Sequence, residues 1–260
     1  MTLTVATWNV NGIRAREDQF LGWLEEARPD VVCLQEIKAA TDKLSERLCE
    51  LAGYHCYWHG HAGYSGVGLH LRRDRFTAPP AFSHPEFDHE TRIVTATAAS
   101  VDDGPGGGLT VASIYVPNGG KDFQAKLDFL AALRGLGREL RQAGRPFLLC
   151  GDLNVTRTDR DLHPKEQKKK PQIGTLPEER ELLEAVLAEG LTDVARALHP
   201  DDDRLYTWWA PWRNLRQRNI GWRIDYVLAS RELAEKAVSC EVYREIGTSD
   251  HAPVVARFEV

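Results

Sequence analysis

The segment Gly151-Asp152-Leu153-Asn154-Val155 places a carboxylate and an amide two residues apart, directly after the apolar run 146–150. An apolar run of this length is typical of a buried strand. In an extended chain, alternation points Asp152 and Asn154 to the same side and Leu153 to the other. Two polar side chains at the end of a buried strand need partners, which could be a metal, a phosphate or each other.

Other polar residues lie at or near the ends of predicted strands. They are Asn9, Glu36, Tyr115, Asn118, Asp225, Asp250 and His251. In open α/β sheets, sites form outside the strand ends, so we expect these side chains to share one edge of the fold.

The donor types in this set indicate a hard divalent cation. Carboxylate and amide oxygens suit Mg²⁺ or Mn²⁺, and the absence of a Cys/His cluster argues against Zn²⁺. Such a cation, with one histidine and several acids, is suited to hydrolysis of a phosphate ester. The cation neutralises charge on the phosphoryl oxygens, and a carboxylate orients or deprotonates the attacking water. The remaining histidines show no ligand spacing: they are His55, His59, His61, His84, His89, His163 and His199.

The elements that must position these residues alternate between strands and helices. Strands are predicted at 3–9, 30–36, 54–59, 67–72, 93–101, 109–116, 147–152, 226–228 and 254–260. Helices are predicted at 19–27, 123–143, 177–189 and 42–52, the last with Asp42 as its N-cap. The strands at 93–101 and 109–116 should form a hairpin across the Gly-rich segment 102–108. This pattern predicts an α/β protein, with two mixed β-sheets packed face to face and helices outside, as one domain over residues 1–260.

Composition narrows the possible partners. The chain has 260 residues, of which 42% are hydrophobic, and no apolar run approaches the 18 residues of a membrane span. The absence of a secretory signal and the irregular spacing of the five cysteines favour a cytoplasmic protein. The net charge of −5 argues against a general nucleic-acid binder. However, residues 204–224 hold five arginines, four of the seven tryptophans and no acid, which favours contact with a phosphate backbone.

Short motifs run in order along nearly the whole chain, from 7–12 (Thr-Trp-Asn-Val-Asn-Gly) to 249–253 (Ser-Asp-His-Ala-Pro). The others lie at 34–38, 63–68, 115–118, 151–154 and 221–226. In these motifs the chain resembles exonuclease III and the related abasic-site endonucleases of the endonuclease/exonuclease/phosphatase superfamily. The resemblance implies a four-layered α/β sandwich and a monomeric, Mg²⁺-dependent DNA-repair nuclease, in which Mn²⁺ substitutes. The implied substrate is double-stranded DNA with abasic sites or blocked 3′ ends. The implied activities are cleavage 5′ to abasic sites leaving a 3′-hydroxyl, 3′→5′ exonuclease action and removal of 3′-blocking groups.

The resemblance also implies roles for individual residues. Glu36 binds the metal directly, and Asn9, Asp250, Asp152 and Asn154 complete its surroundings. Asp152 also positions or deprotonates the attacking water, or protonates the leaving group, and Asn154 hydrogen-bonds the phosphate. The remaining catalytic roles fall to His251, oriented by Asp225 to stabilise phosphoryl charge, and to Tyr115, which contacts the phosphate or supplies charge stabilisation.

Substrate contacts are implied at seven further positions. Trp208, Trp212 and Trp222 map onto a pocket for a flipped-out, base-free sugar, and Trp212 either wedges into the duplex or narrows the pocket. The other positions are Asn118, Arg92, Lys38 and Arg216. The Lys-rich segment 165–170 is a further candidate for the phosphate backbone, with a solvated loop as the alternative.

Several alternatives stay open at this point. The chain could be another phosphoesterase of the superfamily, such as an inositol-phosphate phosphatase, a sphingomyelinase or an RNA deadenylase. It could also be a catalytically inactive DNA-binding scaffold. Among the aromatic residues, Trp8, Trp23 and Trp209 are predicted to lie in the core. The run 201–203 of three aspartates is predicted to be a solvated turn.

Overall fold

The computed structural model describes residues 1–51, 53–61, 63–99 and 108–260. In chain order the strands and helices are β1 (Thr2–Asn9), α1 (Glu17–Ala27), β2 (Val31–Gln35), α2 (Glu46–Cys49), β3 (Tyr54–His61), β4 (Tyr64–Arg72), β5 (Ala81–Ser83), β6 (Ile93–Ala98), β7 (Leu109–Tyr115), α3 (Phe123–Gln142), β8 (Phe147–Asp152), α4 (Pro177–Leu187), β9 (Leu191–Asp193), α5 (Val194–Leu198), β10 (Asp225–Ser230), α6 (Arg231–Ala234), β11 (Ala237–Val242) and β12 (Val254–Glu259). Short 3₁₀ turns lie at Ile13–Arg16, Thr41–Lys43 and Asp159–Asp161.

The strands form two six-stranded mixed sheets. The first has the order β11-β12-β1-β2-β4-β3, and the second has the order β5-β6-β7-β8-β10-β9. Each sheet has one parallel pair at its centre, β1 with β2 and β7 with β8. The carboxyl ends of parallel strands lie side by side, so the residues that follow β1 and β2, and those that follow β7 and β8, emerge together.

Apolar side chains fill three layers around these sheets. Between the sheets, inward-facing residues such as Val31, Val111 and Leu148 form one buried cluster. Outside the second sheet, α3 and α4 pack through residues that include Leu133 and Leu183. Outside the first sheet, α1 packs in a cluster with Trp8, Phe20 and Trp23. The order is therefore helix, sheet, sheet, helix, which confirms the predicted four-layered sandwich.

The predicted helix over 42–52 is wrong. A 3₁₀ turn occupies Thr41–Lys43, and the chain then forms the four-residue α2. Ser45 is the N-cap of α2, and its hydroxyl accepts a hydrogen bond from the backbone N–H of Leu48. A polar side chain that satisfies free N–H groups starts a helix where it sits, so the helix begins after Ser45 and Asp42 is not its cap. Ala52 lies outside the described residues.

Other sequence predictions agree with the structure in kind, although the bounds differ. The hairpin of β6 and β7 is antiparallel, as predicted, with Ile93 opposite Ile114, whereas most of the Gly-rich segment between them lies outside the described residues. Trp8, Trp23 and Trp209 are buried, as predicted. The short elements β5, β9, β11, α5 and α6 were not predicted, since all but β11 span too few residues for a period to show.

Both ends of the chain lie in the first sheet. The amino group of Met1 donates to the carbonyl oxygen of Val260 at 2.9 Å, beyond the β1–β12 pairing. These ends therefore lie at the opposite end of β1 from Asn9. Among the described residues, no helix is long and apolar enough to cross a bilayer.

Candidate active site

The amide of Asn9 connects the two sheets at the strand ends. Its Nδ2 atom donates to Glu36 Oε1 at 2.9 Å and to Asp152 Oδ2 at 2.9 Å. Asn9 ends β1, Glu36 follows β2 in the same sheet, and Asp152 ends β8 in the other sheet. The structure therefore brings together at one edge three residues that the sequence places at separate strand ends.

The close approach of two strands fixes the position of Asp152. A Cβ atom at Gly151 would lie 1.8 Å from the carbonyl oxygen of Ile114 on β7, so only glycine fits before Asp152. Asp152 Oδ1 accepts the backbone N–H of Asn154 at 2.9 Å, and Asn154 has a left-handed backbone with φ of 52°. The two side chains are thus brought together by a turn after β8, and not by the strand alternation that the sequence suggested.

The side chain of Asn154 is held by the neighbouring loop. Its Nδ2 donates to the carbonyl oxygen of Val116 at 2.9 Å, and its Oδ1 accepts from Asn118 Nδ2 at 3.2 Å. Lys126, on α3, donates from its ammonium to the backbone carbonyls of both Asn118 and Asn154. The two asparagines therefore form one positioned polar surface beside Asp152.

His251 is oriented by Asp225 and faces Asp152. Its Nδ1 lies 2.9 Å from Asp225 Oδ2, and its Nε2 lies 3.8 Å from Asp152 Oδ2. The hydroxyl of Thr207 donates to Asp225 Oδ2 at 2.6 Å and accepts the backbone N–H groups of Ile224 and Asp225. These contacts hold the carboxylate toward the imidazole, so the second ring nitrogen points at the centre of the site.

The charges of these buried groups shift their protonation. Burial alone lowers the pKa of His251, but the charge and hydrogen bonds of Asp225 outweigh it and raise that pKa to about 10. Burial, followed by the charges of Asp225 and Glu36, raises the pKa of Asp152 to about 7, although the positive charge of His251 acts in the opposite direction. The site at neutral pH therefore combines an imidazolium with a carboxyl group that exchanges its proton readily.

The carboxylates of Glu36 and Asp250 are held by neighbouring side chains: Glu36 pairs with a lysine, and Asp250 accepts hydrogen bonds. Lys38 Nζ lies 2.5 Å from Glu36 Oε2 and 2.6 Å from Asn11 Oδ1. Burial alone raises the pKa of Glu36, yet the hydrogen bonds from Lys38 and Asn9 bring it below its usual value. Asp250 accepts from Asn11 Nδ2 at 2.8 Å and from Trp208 Nε1 at 2.9 Å, so both its oxygens already have protein partners.

The backbone is strained where these polar residues follow the strands. Positive φ angles occur at Asn11 (45°), Glu36 (49°), Lys38 (48°) and Asn154 (52°). Residues held in this sparsely populated region cluster at active sites, because the surrounding contacts over-determine their geometry.

Tyr115 lies at the edge of the site under a buried guanidinium. The Arg92 guanidinium carbon is 4.7 Å from the centre of the Tyr115 ring, and Arg92 Nη2 donates to Tyr64 Oη and Glu90 Oε2. Burial, followed by the charges of Glu36 and Asp152, raises the pKa of Tyr115 well above its usual value. Tyr115 therefore keeps its proton and is available as a hydrogen-bond donor.

The residues present fit a divalent metal ion. Atoms of Glu36, Asp152 and His251 lie within 4.8 Å of one another, and because the protonated ring of His251 has no free lone pair, Glu36 and Asp152 would hold the ion. Two of the three are carboxylates, the hard donors that Mg²⁺ and Mn²⁺ prefer. Asn9 donates to both carboxylates, and Asp250 is held by Asn11 and Trp208.

The predicted substrate residues lie in different settings. Trp208 and Trp222 pack edge to face with ring centres 5.8 Å apart, next to His251, whereas Trp212 is 60% exposed. Arg216 donates to the backbone carbonyls of Arg244, Ile246 and Ser249, so its guanidinium supports the loop before His251. Its direct contact with a substrate stays a prediction, as do those of Lys38, Arg92 and Asn118.

The basic residues of the segments 204–224 and 165–170 are only partly available to contact a partner. Arg223 is buried and paired with Asp161 and Asp193, whereas Arg204, Arg213 and Arg218 are exposed. The lysines of the segment 165–170 are all exposed.

Sequence reasoning missed three residues of the site, which are Asn11, Thr207 and Tyr64. Asn11 lies in the first motif, two residues after Asn9, and that spacing was an available signal. Tyr64 lies in the motif 63–68 and Thr207 lies in the Arg- and Trp-rich segment 204–224, but neither residue follows a predicted strand, and packing between distant segments brings both to the site.

The fold and the site together define a metal-dependent phosphoesterase: a four-layered sandwich with acids, amides and an Asp–His pair at the ends of its central strands. Comparison with known families agrees with this class. The sequence profile of the Endonuclease/Exonuclease/phosphatase family matches residues 6–251, and the chain belongs to this family.

Individual relatives cover nearly the whole chain. The DNA repair nuclease APEX1 of Danio rerio is 35% identical over 97% of this chain and 81% of its own length. The exodeoxyribonuclease of Bacillus subtilis is 32% identical over 97% of this chain and 98% of its own length. Recombination repair protein 1 of Drosophila melanogaster is 33% identical over 99% of this chain, which spans only 37% of that longer protein.

Solved structures show the same architecture. An AP endonuclease from Archaeoglobus fulgidus superposes with a TM-score of 0.85 at 31% identity, covering 99% of this chain and 100% of the other. A 3′ phosphatase from Neisseria, bound to a product DNA hairpin, gives a TM-score of 0.85 at 30% identity with the same coverage. The resemblance drawn from the sequence motifs is thus confirmed.

Proposed function

We propose that this protein is a metal-dependent DNA-repair nuclease that hydrolyses the phosphodiester bond 5′ to abasic sites and leaves a 3′-hydroxyl. It also has 3′→5′ exonuclease activity and removes 3′-blocking groups from duplex DNA. The observation that carries this proposal is the arrangement of Asp152 between Asn9 and His251, in a chain whose relatives are DNA repair nucleases along nearly its full length.

In the proposed reaction, water displaces the leaving oxygen in a single in-line step. Asp152 moves a proton at its Oδ2 atom, which accepts from Asn9 and faces His251 Nε2 at the centre of the site. His251 stays protonated and stabilises negative charge on the phosphoryl oxygens, with Asp225 holding its ring. Asn154 and Tyr115 donate to the phosphate. When bound, the metal neutralises phosphoryl charge and supports the leaving oxygen.

We infer that the metal is Mg²⁺, with Mn²⁺ as a substitute, and that Glu36 and Asp152 hold it. The two carboxylates support a hard cation. We also infer that Asn9, Asn154 and Asp250 complete its surroundings through water or hydrogen bonds.

The partner in this proposal is double-stranded DNA with an abasic site or a blocked 3′ end. Trp208 and Trp222 border the centre of the site, where they would enclose a base-free sugar, and such a sugar has no base to unstack. Trp212 and the nearby arginines Arg213 and Arg218 are exposed, so they are available to contact the DNA backbone. We further propose that residues 1–260 act as one domain, in a monomer of the cytoplasm.

A direct assay of substrates tests the proposal. Purified protein with Mg²⁺ should cleave a duplex with one abasic site and remove a 3′-phosphate, and it should leave soluble inositol phosphates intact. An inositol-phosphate phosphatase would show the opposite preference, and a sphingomyelinase or an RNA deadenylase would cleave neither DNA substrate. Binding of the abasic duplex without cleavage, in Mg²⁺ or Mn²⁺, would contradict an enzyme and favour a scaffold.

Asp152→Asn is the matched variant for the same assay. The amide has nearly the same shape and keeps one acceptor oxygen, for either Asn9 or the backbone N–H of Asn154, but it cannot exchange a proton. We expect the cleavage rate to fall by about three orders of magnitude or more, with duplex affinity retained. A wild-type rate in this variant would exclude Asp152 from the chemical step.

A further inference from the structure

A second group of metal-binding side chains lies outside the candidate active site. His59 on β3, together with His84 and Asp88 between β5 and β6, offer one donor atom each, and these atoms lie within 4.8 Å of one another. The sequence shows no ligand spacing for His59 and His84, and only the fold brings these two histidines together. These residues belong to different sheets, so no sequence spacing could reveal the cluster.

Backbone hydrogen bonds already orient two of the three donors. His84 Nδ1 lies 3.2 Å from the carbonyl oxygen of Ile93, so this nitrogen donates and Nε2 carries the lone pair. Asp88 Oδ1 accepts the backbone N–H groups of Arg92 and Ile93 at 2.8 and 3.1 Å, which leaves Oδ2 to point at the cluster. Metal ligands are typically fixed by partners of this kind.

The remaining donor atoms converge, and at present they bond to one another and to Tyr57, so a bound ion would replace these contacts. Asp88 Oδ2 lies 2.6 Å from His59 Nε2, and the two imidazole rings have centres 3.9 Å apart. His84 Nε2 contacts the hydroxyl of Tyr57 at 2.8 Å. The side chains of His59 and Asp88 are 21% and 14% exposed, and His84 is exposed, so an ion can reach the cluster from solvent.

We propose that His59, His84 and Asp88 form a site for a borderline-soft divalent ion of the Zn²⁺ class, separate from the catalytic metal. Two imidazoles and one carboxylate are a common Zn²⁺ ligand set, and they leave a fourth tetrahedral position for water. This donor set differs from the carboxylates of the candidate active site, which favour a harder cation.

An ion bound here links the edges of the two sheets. β3 is the outer strand of the first sheet and β5 is the outer strand of the second, and Tyr57 and Phe82 already stack across them with ring centres 4.8 Å apart. Asp88 also fixes the backbone of Arg92, whose guanidinium lies against Tyr115. Binding therefore stabilises the fold at this edge and the segment that supports Tyr115.

Co²⁺ is the probe for the test, because its tetrahedral complexes absorb strongly in visible light. The full chain is freed of metal with a chelator and titrated with Co²⁺ and then with Zn²⁺. Since Glu36, Asp152 and His251 also offer donors, the titration is repeated in Glu36→Gln. We expect both proteins to bind one equivalent of Co²⁺ with strong tetrahedral bands, in addition to the Co²⁺ that the candidate active site of the wild type holds. Zn²⁺ should remove these bands and raise the Tm.

Two variants should weaken Co²⁺ binding at least tenfold: His84→Gln and Asp88→Asn. The matched control is His61→Gln. His61 is exposed and lies on β3 with His59, but outside the cluster, so this variant should bind Co²⁺ as the wild type does. Circular dichroism without metal shows whether each variant folds. If Asp88→Asn does not fold, the titration of His84→Gln, which changes an exposed residue, provides the test alone. The proposal is overturned by an absence of visible bands in the wild type, by bands that vanish in Glu36→Gln, or by unchanged affinity in His84→Gln.

Discussion

Lys126 is a buried charge that serves the site through its backbone contacts. Its ammonium pairs with the buried carboxylate of Glu179 and donates to the carbonyls of Asn118 and Asn154. Burial lowers the pKa of Lys126, and the charge of Glu179 partly offsets that effect. One side chain therefore ties α3 and α4 to both loops that carry the asparagines beside Asp152.

Replacing Lys126 should affect both stability and activity. Lys126→Met leaves Glu179 buried without its cation, and breaking such a pair costs about 3–5 kcal/mol. We expect urea denaturation to show a loss of this size and cleavage to lose kcat more than KM. The double variant Lys126→Met/Glu179→Gln should recover part of the stability and none of the activity. Equal stability of the single and double variants would contradict the pairing.

His70 makes stability depend on pH in a defined window. Its ring is fully buried against Trp58 and Phe20, and neither ring nitrogen has a hydrogen-bond partner among the described residues. Burial lowers the pKa of His70 from 6.5 to about 3. The unfolded chain therefore binds one more proton than the folded protein between these two values. Stability contributed by neutral His70 is complete above pH 6.5 and falls by up to about 1.4 kcal/mol per pH unit below it.

The test compares wild type with His70→Leu, which fills the same space without titrating. Chemical denaturation at pH 7.5, 5.5 and 4.5 should show a steeper loss of stability in the wild type. Parallel pH profiles of the two proteins would show that His70 does not carry this effect.

At the scale of elements, the site depends on loops held by contacts from other segments. Arg216 donates to three carbonyls of the loop that precedes Asp250 and His251. Thr207 and Trp208 hold Asp225 and Asp250 from the same segment of the chain. The segment 206–216 therefore orders one side of the site whether or not it also touches a substrate.

A substitution separates these two roles for Arg216. Arg216→Gln loses most of the donors, so we expect kcat to fall about tenfold and the salt dependence of DNA binding to stay unchanged. Arg218→Gln removes an exposed arginine nearby and should leave kcat unchanged. If Arg216 mainly contacts phosphate, its variant will instead raise KM and reduce the salt dependence.

The sequence predicted long elements and strand ends well, because their signals are local. Asn9 and Asp152 end strands and Asp225 begins one, as the apolar runs next to them predict. The path of short segments was not predictable in the same way. Whether Ser45 or Asp42 starts a helix depends on which side chain reaches a free N–H group, and the contacts of Thr207 depend on packing between segments far apart in sequence.

At the scale of the whole molecule, binding of DNA depends more on local clusters of basic residues than on the net charge of −5. The exposed lysines 168, 169 and 170 lie in one loop. If they contact a DNA backbone, replacing all three with Gln should reduce the slope of log K against log salt by about 0.9 for each lost contact. Fluorescence anisotropy with an abasic duplex at several salt concentrations measures this slope. An unchanged slope would show that the loop is only solvated, and unchanged thermal unfolding is the control.

The pairing of Met1 with Val260 has a practical consequence for handling the protein. β1 spans eight residues, so these ends lie about 25 Å from Asn9 along the strand. An affinity tag, a fluorophore or a surface tether joined to either end therefore emerges away from the catalytic edge. The protein can be immobilised through one end for single-molecule cleavage measurements while the edge with Asn9 and Asp152 stays open to long DNA.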